Sequence, residues 1–495
     1  VEQLSEIHAE LVQAAERWEP WVHERQSDRD ASARNLLQYL ALRRHDLREL
    51  QLPLISLGLS SLGRSEGHVQ VSVEAVLAAL TALGGSPQPA RPSGPAAIGF
   101  TASRDLLTAR TRALLGRQPR KRPTRIMVTM PSEAASNPRL VAEMLHAGMH
   151  CARINCAHDT PAEWSAMVTN LRLAEAETGN GIRVQVDLPG PKLRTGPLAP
   201  RPAHDRKGQY LRLERGDQLR LTREDAAAEP SHDADIPTVA CATREIFAVT
   251  SPGHTIWFDD GKLGARVDAA SADSILLRIT HAPPKGAKLR PGRGINLPDA
   301  ALPVDILDPS HSGDALAFAT RAADIVGLSF VSHAREVQGI DDYLNAQGRP
   351  AVGVVLKIET RRAFEQLPGL LLAALGTNRP AGVMIARGDL AVECGFERLA
   401  EVQEEILWLC AAAHTPVIWA TQVLDGLAKT GRPSRAEITD AAMSGRAECV
   451  MLNKGPEIAG AITALDDILR RMARHHRKKR PLLPRLGASE YAPTP

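Results

Sequence analysis

Long apolar runs are missing from this 495-residue chain. No stretch of 18 or more apolar residues occurs, so no membrane-spanning helix and no membrane partner are expected. Aromatic residues are scarce, at 3%. Single-stranded nucleic acid is gripped largely by aromatic platforms, so this scarcity argues against a nucleic-acid partner. An excess of one charge is also lacking. The net charge of +3 gives no overall pull toward nucleic acid or acidic lipid. Cysteine is sparse: Cys151, Cys156, Cys241, Cys394, Cys410 and Cys449 fall without C-x-x-C or zinc-type spacing. That pattern argues against a disulfide framework and for reduced thiols. No secretory signal pattern opens the chain, and the expected location is cytoplasmic.

What is present is an ordinary globular composition, with 43% hydrophobic and 24% charged residues and a length suited to two to four domains. The first 85 residues read as helical. Leu4, Ile7, Leu11 and Trp18 keep a helix-like spacing, and Val71–Leu83 forms a second apolar-faced segment. A Pro/Gly/Ser-rich stretch, Ser86–Ala97, then reads as a linker. Leu59–Val69 reads as a turn ahead of the Val71 helix.

From residue 122 the pattern changes. Eight short β runs, at 125–130, 150–156, 183–187, 323–330, 353–359, 381–387, 416–421 and 448–453, alternate with helical patterns such as 138–148 and 399–413. Alternating βα units imply a parallel sheet, and eight of them point to an α/β fold, a closed (β/α)8 TIM barrel. An open doubly wound sheet is the alternative. Residues 197–295 break the rhythm with alternating strands and Gly, Pro and Asp turns, including the hairpin signal Asp260-Gly261. They read as a small all-β domain, barrel-like in its own right, inserted into a barrel loop. The expected division is a helical extension and linker at 1–97, a barrel at 98–196 and 296–480, the insert at 197–295 and a tail at 481–495. The charge run His475–Arg480 reads as a solvated helix end.

Reacting groups in such barrels project from the C-terminal strand ends. The second run ends in Arg153, Asn155 and His158; the third in Asp187, followed by Lys192 and Arg194. The fifth ends in L-K-I-E-T. Lys357 and Glu359 stand two residues apart there, so a strand sends both to one face. The sixth ends in Arg387, Gly388 and Asp389, the seventh in Thr421 and Gln422. Glu359 and Asp389 are hard oxygen donors suited to Mg2+ or Mn2+. Arg153, Lys192, Arg194, Lys357 and Arg387 would make a cationic floor for phosphate and carboxylate groups. A short helix after Arg387 would point free N–H groups at a substrate carboxylate. Metal plus lysine beside a phosphoryl group is the equipment of phosphoryl transfer.

The motifs A-R-I-N-C-A-H, V-D-L-P-G-P-K-L-R-T-G, F-D-D-G, I-N-L-P, V-L-K-I-E-T, I-A-R-G-D-L-A-V-E, A-T-Q-V-L and R-P-S-R-A-E make the block Pro123–Met472 resemble pyruvate kinase. The resemblance implies a barrel with an inserted domain, and transfer of phosphate from phosphoenolpyruvate to ADP to give pyruvate and ATP. It implies that Lys357 stabilises the phosphoryl group in flight and that Glu359 and Asp389 ligate Mg2+ or Mn2+. It implies that Arg387, Gly388 and Asp389 bind substrate and that Arg153 binds phosphate. Thr421 would lie on the path that protonates the enolate, and Asn155, His158 and Arg194 would match nucleotide-side positions. A homo-oligomer is implied too.

The chain also departs from the pattern. K+-dependent relatives carry glutamate where Lys192 stands, and the family's usual serine, one of the K+ ligands, is here Ala157; K+-independent relatives carry the lysine, and Leu188 fits their pattern whereas Pro189 and Thr195 do not. K+ is therefore expected to be dispensable, its charge supplied by Lys192. The loops Thr129–Ala134 and Asn453–Pro456 differ from the family's, and the chain stops near the last barrel helix, so effector regulation through a C-terminal domain is not expected. Two other readings stay open: a metal-dependent lyase or aldolase acting through a pyruvate enolate, and a non-catalytic relative that only binds.

Overall fold

Eight runs rich in Val, Ile and Met become parallel strands because side chains cover both of their faces. They are β1 (Arg125–Thr129), β2 (Cys151–Asn155), β3 (Arg183–Asp187), β4 (Ile325–Leu328), β5 (Gly353–Ile358), β6 (Ala381–Ala386), β7 (Val417–Val423) and β8 (Cys449–Leu452). In the computed structural model each pairs with the next and β8 pairs with β1, so the sheet closes as a barrel. The closed (β/α)8 reading stands and the open sheet does not. The structure describes residues 1–16, 28–85, 97–199, 210–223, 236–303, 306–478 and 480–481. Trp18, the linker residues 86–96 and most of the tail, residues 482–495, lie outside them.

The predicted helices form with small shifts at their ends. Pro138–Ala147 is capped by Asn137, whose side chain accepts from Leu140 N, and Leu399–Ala412 covers the β6–β7 side. No helix among the described residues is long and apolar enough to cross a membrane.

The N-terminal part is helical, as read: α1 (Glu2–Glu16), α2 (Asp28–Leu42), α3 (Arg48–Ser56) and α4 (Val69–Leu83). Leu4, Ile7 and Leu11 are buried on one face of α1. A 3-10 turn at Glu66–His68 precedes α4, in keeping with the turn reading. These helices lie against the barrel and share its hydrophobic core. Two buried polar side chains tie the units together. Asn35 donates to Glu66 O at 2.7 Å and Ala412 O at 2.8 Å, and His414 Nε2 donates to Gly67 O at 2.8 Å. Burial pushes the His414 imidazole down to about 4, so it serves as a neutral donor.

One helix has no counterpart in the sequence reading. The segment Phe100–Leu115, α5, ends under the barrel, where Leu114 and Leu115 join Met127, Cys151, Val355 and Met384 in the interior cluster. Gly353 and Gly382 make room for this plug: a Cβ on either would lie 2.5 Å from a Leu114 methyl.

Between β3 and β4, seven strands from Thr195–Leu198 to Ile295–Asn296 form a separate mixed sheet. Its core of Leu219, Val239, Ile256, Phe258 and Leu277 is distinct from that of the barrel. The turn Asp259–Gly261 has positive φ at all three residues and joins the strands Thr255–Phe258 and Leu263–Ala270, as the Asp-Gly signal indicated. The charge run at the C-terminal end is solvated at His475, His476 and Arg477, as read, but it is not the end of a helix. The last helix stops at Met472, the chain folds back through a bridge of His476–Arg477 with Arg480–Pro481, and Lys478 pairs with Glu448 at 2.7 Å. An acidic partner on the barrel captures the cation that would otherwise be solvated.

Candidate active site at the barrel mouth

Lys357 and Glu359 do leave β5 on one face, and Lys357 Nζ lies 3.1 Å from Glu359 Oε1. Both are buried, at 6% and 5% exposure, which few charges tolerate without partners. The ammonium is fully engaged: it also donates to Ser329 Oγ at 2.7 Å and lies 3.1 Å from Asp187 Oδ2. Burial alone would depress its affinity for a proton. The Asp187 and Glu359 carboxylates outweigh burial and hold it above the usual lysine range.

Asp187, at the end of β3, anchors this cluster. It is wholly buried and accepts from Arg153 Nε at 2.8 Å and Gln185 Nε2 at 2.6 Å; against the pull of burial, the Arg153 and Lys357 charges, helped by the Gln185 hydrogen bond, hold its carboxyl well below the ordinary range. Glu359 behaves oppositely. Burial and the nearby Asp389 charge raise its pKa despite the Lys357 pair and a 2.7 Å hydrogen bond from Phe330 N. A carboxylate whose charge is disfavoured in this way is stabilised by an added cation.

The sixth strand contributes Asp389 through the predicted helix, Arg387–Cys394, which starts at the strand end. Both Asp389 oxygens are held by Lys192 Nζ, at 2.8 and 3.0 Å. Arg387 turns away from the mouth. Its guanidinium grips both Asp440 oxygens and the Ala420 and Thr421 carbonyls and stacks over Trp419 at 4.9 Å. In this geometry it braces the end of β7.

That end is strained. Thr421, Gln422 and Leu424 all have positive φ, 65°, 58° and 47°, and the β7–β8 register shifts between Trp419 and Val423. A β-branched residue is a clear outlier there, and such strain concentrates at functional sites. The Thr421 hydroxyl oxygen is buried and has no hydrogen-bond partner. A Cβ on Gly388 would lie 3.9 Å from it, so the hydroxyl and the start of the Arg387 helix adjoin.

The second strand supplies Arg153, Asn155 and His158. With Asp425, Lys429 and Lys454 they line a cavity of about 260 Å3 at the rim. Arg153 also reaches Thr129 Oγ1 at 3.1 Å. Thr129, at the end of β1, and Asn453, just after β8, border the same cavity. Burial and the charges of Lys454 and Arg194 lower the His158 pKa. Arg194 is exposed on the segment leading to the inserted sheet and donates to Gly292 O at 3.1 Å.

The donor set suits a hard divalent ion. Glu359 and Asp389 offer oxygen only, and no group of three or more His, Cys, Asp or Glu that could hold a metal occurs among the described residues. Two protein carboxylates leave the remaining positions to substrate and water, the usual arrangement for Mg2+. Sequence reasoning missed Ser329, Phe330 and Asn296 as members of this site. The strand-end rule would have found the first two at the end of the fourth run, and Asn296 lies within the quoted I-N-L-P.

The family described as pyruvate kinase, barrel domain, matches residues 121–461. The chain is 30% identical to the pyruvate kinase of Mycobacterium intracellulare over 322 residues, 65% of this chain and 63% of that protein. It is 30% identical to that of Thermococcus litoralis over 320 residues, 64% and 62% of the two chains. It is 29% identical to that of Agrobacterium vitis over 371 residues, 74% and 71%. The chain thus spans less than two thirds of the length of the first two of these relatives.

Proposed function

We propose that this chain, which belongs to the pyruvate kinase family, moves the phosphoryl group of phosphoenolpyruvate to ADP, giving pyruvate and ATP as in glycolysis. The observation that carries the reading is the buried Lys357 ammonium, bonded to Glu359 within the mouth that also holds Asp389 and Thr421.

Lys357 is the positive charge beside the transferring group, kept charged by Asp187 and fixed in place by Ser329. A divalent ion, Mg2+ or Mn2+, held by Glu359 and Asp389, would supply further charge neutralisation. The backbone N–H groups of Gly388 and Asp389, at the start of the Arg387 helix, receive the substrate carboxylate. Arg153 is assigned to phosphate and Asn155 and His158, which line the rim cavity with it, to the nucleotide side; Arg194, whose charge acts on His158, is assigned there too. As the bond between phosphorus and the enol oxygen breaks, a new one forms to the β-phosphate of ADP. The enolate left behind takes a proton at its methylene carbon by way of the Thr421 hydroxyl. Ketonisation makes the whole transfer downhill. Lys192 supplies the charge that K+ provides elsewhere in the family, so added K+ is dispensable.

Pyruvate formation from phosphoenolpyruvate, with and without ADP, Mg2+ and K+, tests this directly. The expected result is turnover that needs ADP and Mg2+ and ignores K+. Strong activation by K+ would remove the Lys192 reading. Turnover of a carbon–carbon substrate in its place would favour a lyase, and ligand binding without turnover a purely binding protein.

A further inference from the structure

The inserted sheet joins the barrel through two segments, and both end on one carboxylate. On the outgoing segment Lys192 donates to Asp389 Oδ1 and Oδ2. On the returning segment Asn296 donates its amide to Asp389 Oδ1 and to Glu393 Oε1, each at 3.2 Å. The segments also bond to each other: Ile295 N donates to Leu193 O at 2.9 Å, and Arg194 bridges to Gly294. A Cβ on Gly294 would lie 3.0 Å from Lys192 Cε, so the returning backbone packs on the lysine stem. Asn296 is 3% exposed, and its Oδ1 is buried without a hydrogen-bond partner. Leaving an amide oxygen so placed is costly unless a donor or a cation satisfies it.

We infer that Asn296 is a positioning residue for Asp389, and that Lys192 competes with the divalent ion for that same carboxylate. The inference rests on the reading of Asp389 as a metal ligand. The Lys192 ammonium takes both oxygens that an ion would use, so an ion binds Asp389 only by displacing it. Asn296 holds one oxygen through a single N–H while its second N–H is fixed by Glu393. The carboxylate therefore keeps its orientation once the lysine leaves. The released ammonium is then available for the role assigned to Lys192 in place of K+. Occupancy of the ion and the bonding of both linkers of the inserted sheet are thereby coupled at one side chain.

Mn2+ titration of the full chain without substrate, followed by calorimetry or by the paramagnetic signal of free Mn2+, tests this without any turnover. Lys192→Met keeps the stem and removes the charge; Mn2+ binding is expected to tighten about tenfold, the worth of a partly buried charge-assisted pair. Asn296→Ala is expected to weaken it about tenfold with the unfolding midpoint little changed. Should Asn296→Ala not fold, Lys192→Met still decides the competition, since its side chain is 22% exposed and methionine keeps the stem that packs on Gly294. Equal Mn2+ affinity in wild type and Lys192→Met, or a shift of both variants in the same direction, overturns the inference. Asp389→Asn is the control for the underlying reading: Mn2+ binding unchanged in that variant overturns Asp389 as a ligand, and this inference with it.

Discussion

Replacing Lys357 by Met removes one ammonium and little volume, and the structure specifies what is lost. Nζ lies 2.7 Å from Ser329 Oγ, 3.1 Å from Asp187 Oδ2 and 3.1 Å from Glu359 Oε1, with 7% of the side chain exposed. Breaking a buried ion pair costs about 3–5 kcal/mol, because a carboxylate is left buried without its partner. Asp187 keeps Arg153 at 2.8 Å, so the uncompensated group is Glu359 and the expected loss is near the lower bound, about 3 kcal/mol. Turnover suffers more. Removing a preorganised charge from the transferring phosphoryl group is expected to lower kcat by about 10³-fold, roughly 4 kcal/mol.

The stability loss has a pH signature. Glu359 already sits above its ordinary pKa through burial and Asp389, with Lys357 opposing. Without Lys357 it rises further. A carboxyl raised on folding favours the native state when protonated and disfavours it once ionised. The deficit of Lys357→Met should therefore be largest near about pH 8 and shrink toward about pH 5.5. ADP-dependent pyruvate formation and unfolding midpoints at the two pH values measure both effects. A variant with wild-type kcat, or a deficit that grows as pH falls, refutes the reasoning.

Three further outcomes are expected. Thr421→Val removes the unpartnered hydroxyl at near-constant shape, and kcat should fall about 10²-fold with KM for phosphoenolpyruvate nearly unchanged; an unaltered kcat takes Thr421 out of proton delivery. Glu393 is buried, and burial pushes its carboxyl up to about 7, so it adds stability below its unfolded pKa that is lost as pH rises through 7. Glu393→Gln should accordingly raise the unfolding midpoint above about pH 8 and change it little near about pH 5; a midpoint lowered at pH 8 contradicts this. Leu114→Ala empties the plug beneath the barrel and should cost about 3 kcal/mol in denaturant unfolding. Its activity in the absence of denaturant should stay intact.

The barrel was legible because its signal is local. A run such as G-V-V-L-K-I-E is apolar throughout when both faces of a strand are covered, and eight of them came within a few residues of the observed limits. The same locality exposed Lys357 and Glu359, since a strand's period of two fixes which side chains share a face. The Asp260-Gly261 turn was readable for a similar reason: its backbone needs positive φ.

Other features depend on residues far apart in the chain. The α5 plug shows in sequence only as an ordinary amphipathic stretch, and its partners Gly353 and Gly382 lie more than two hundred residues away. The direction of Arg387 was decided by Asp440, which draws the guanidinium from the mouth into a bidentate pair. The pairing of Lys192 and Asn296 on Asp389 required the two linkers of the insert to meet, across spans of 197 and 93 residues. Periodicity and turn chemistry are written in neighbouring residues, so the chain alone determined its strands, its turn and the Lys357–Glu359 pair. Which charge neutralises which, and which hydroxyl stays unpartnered, follows from burial and distance, and only the closed barrel decided those.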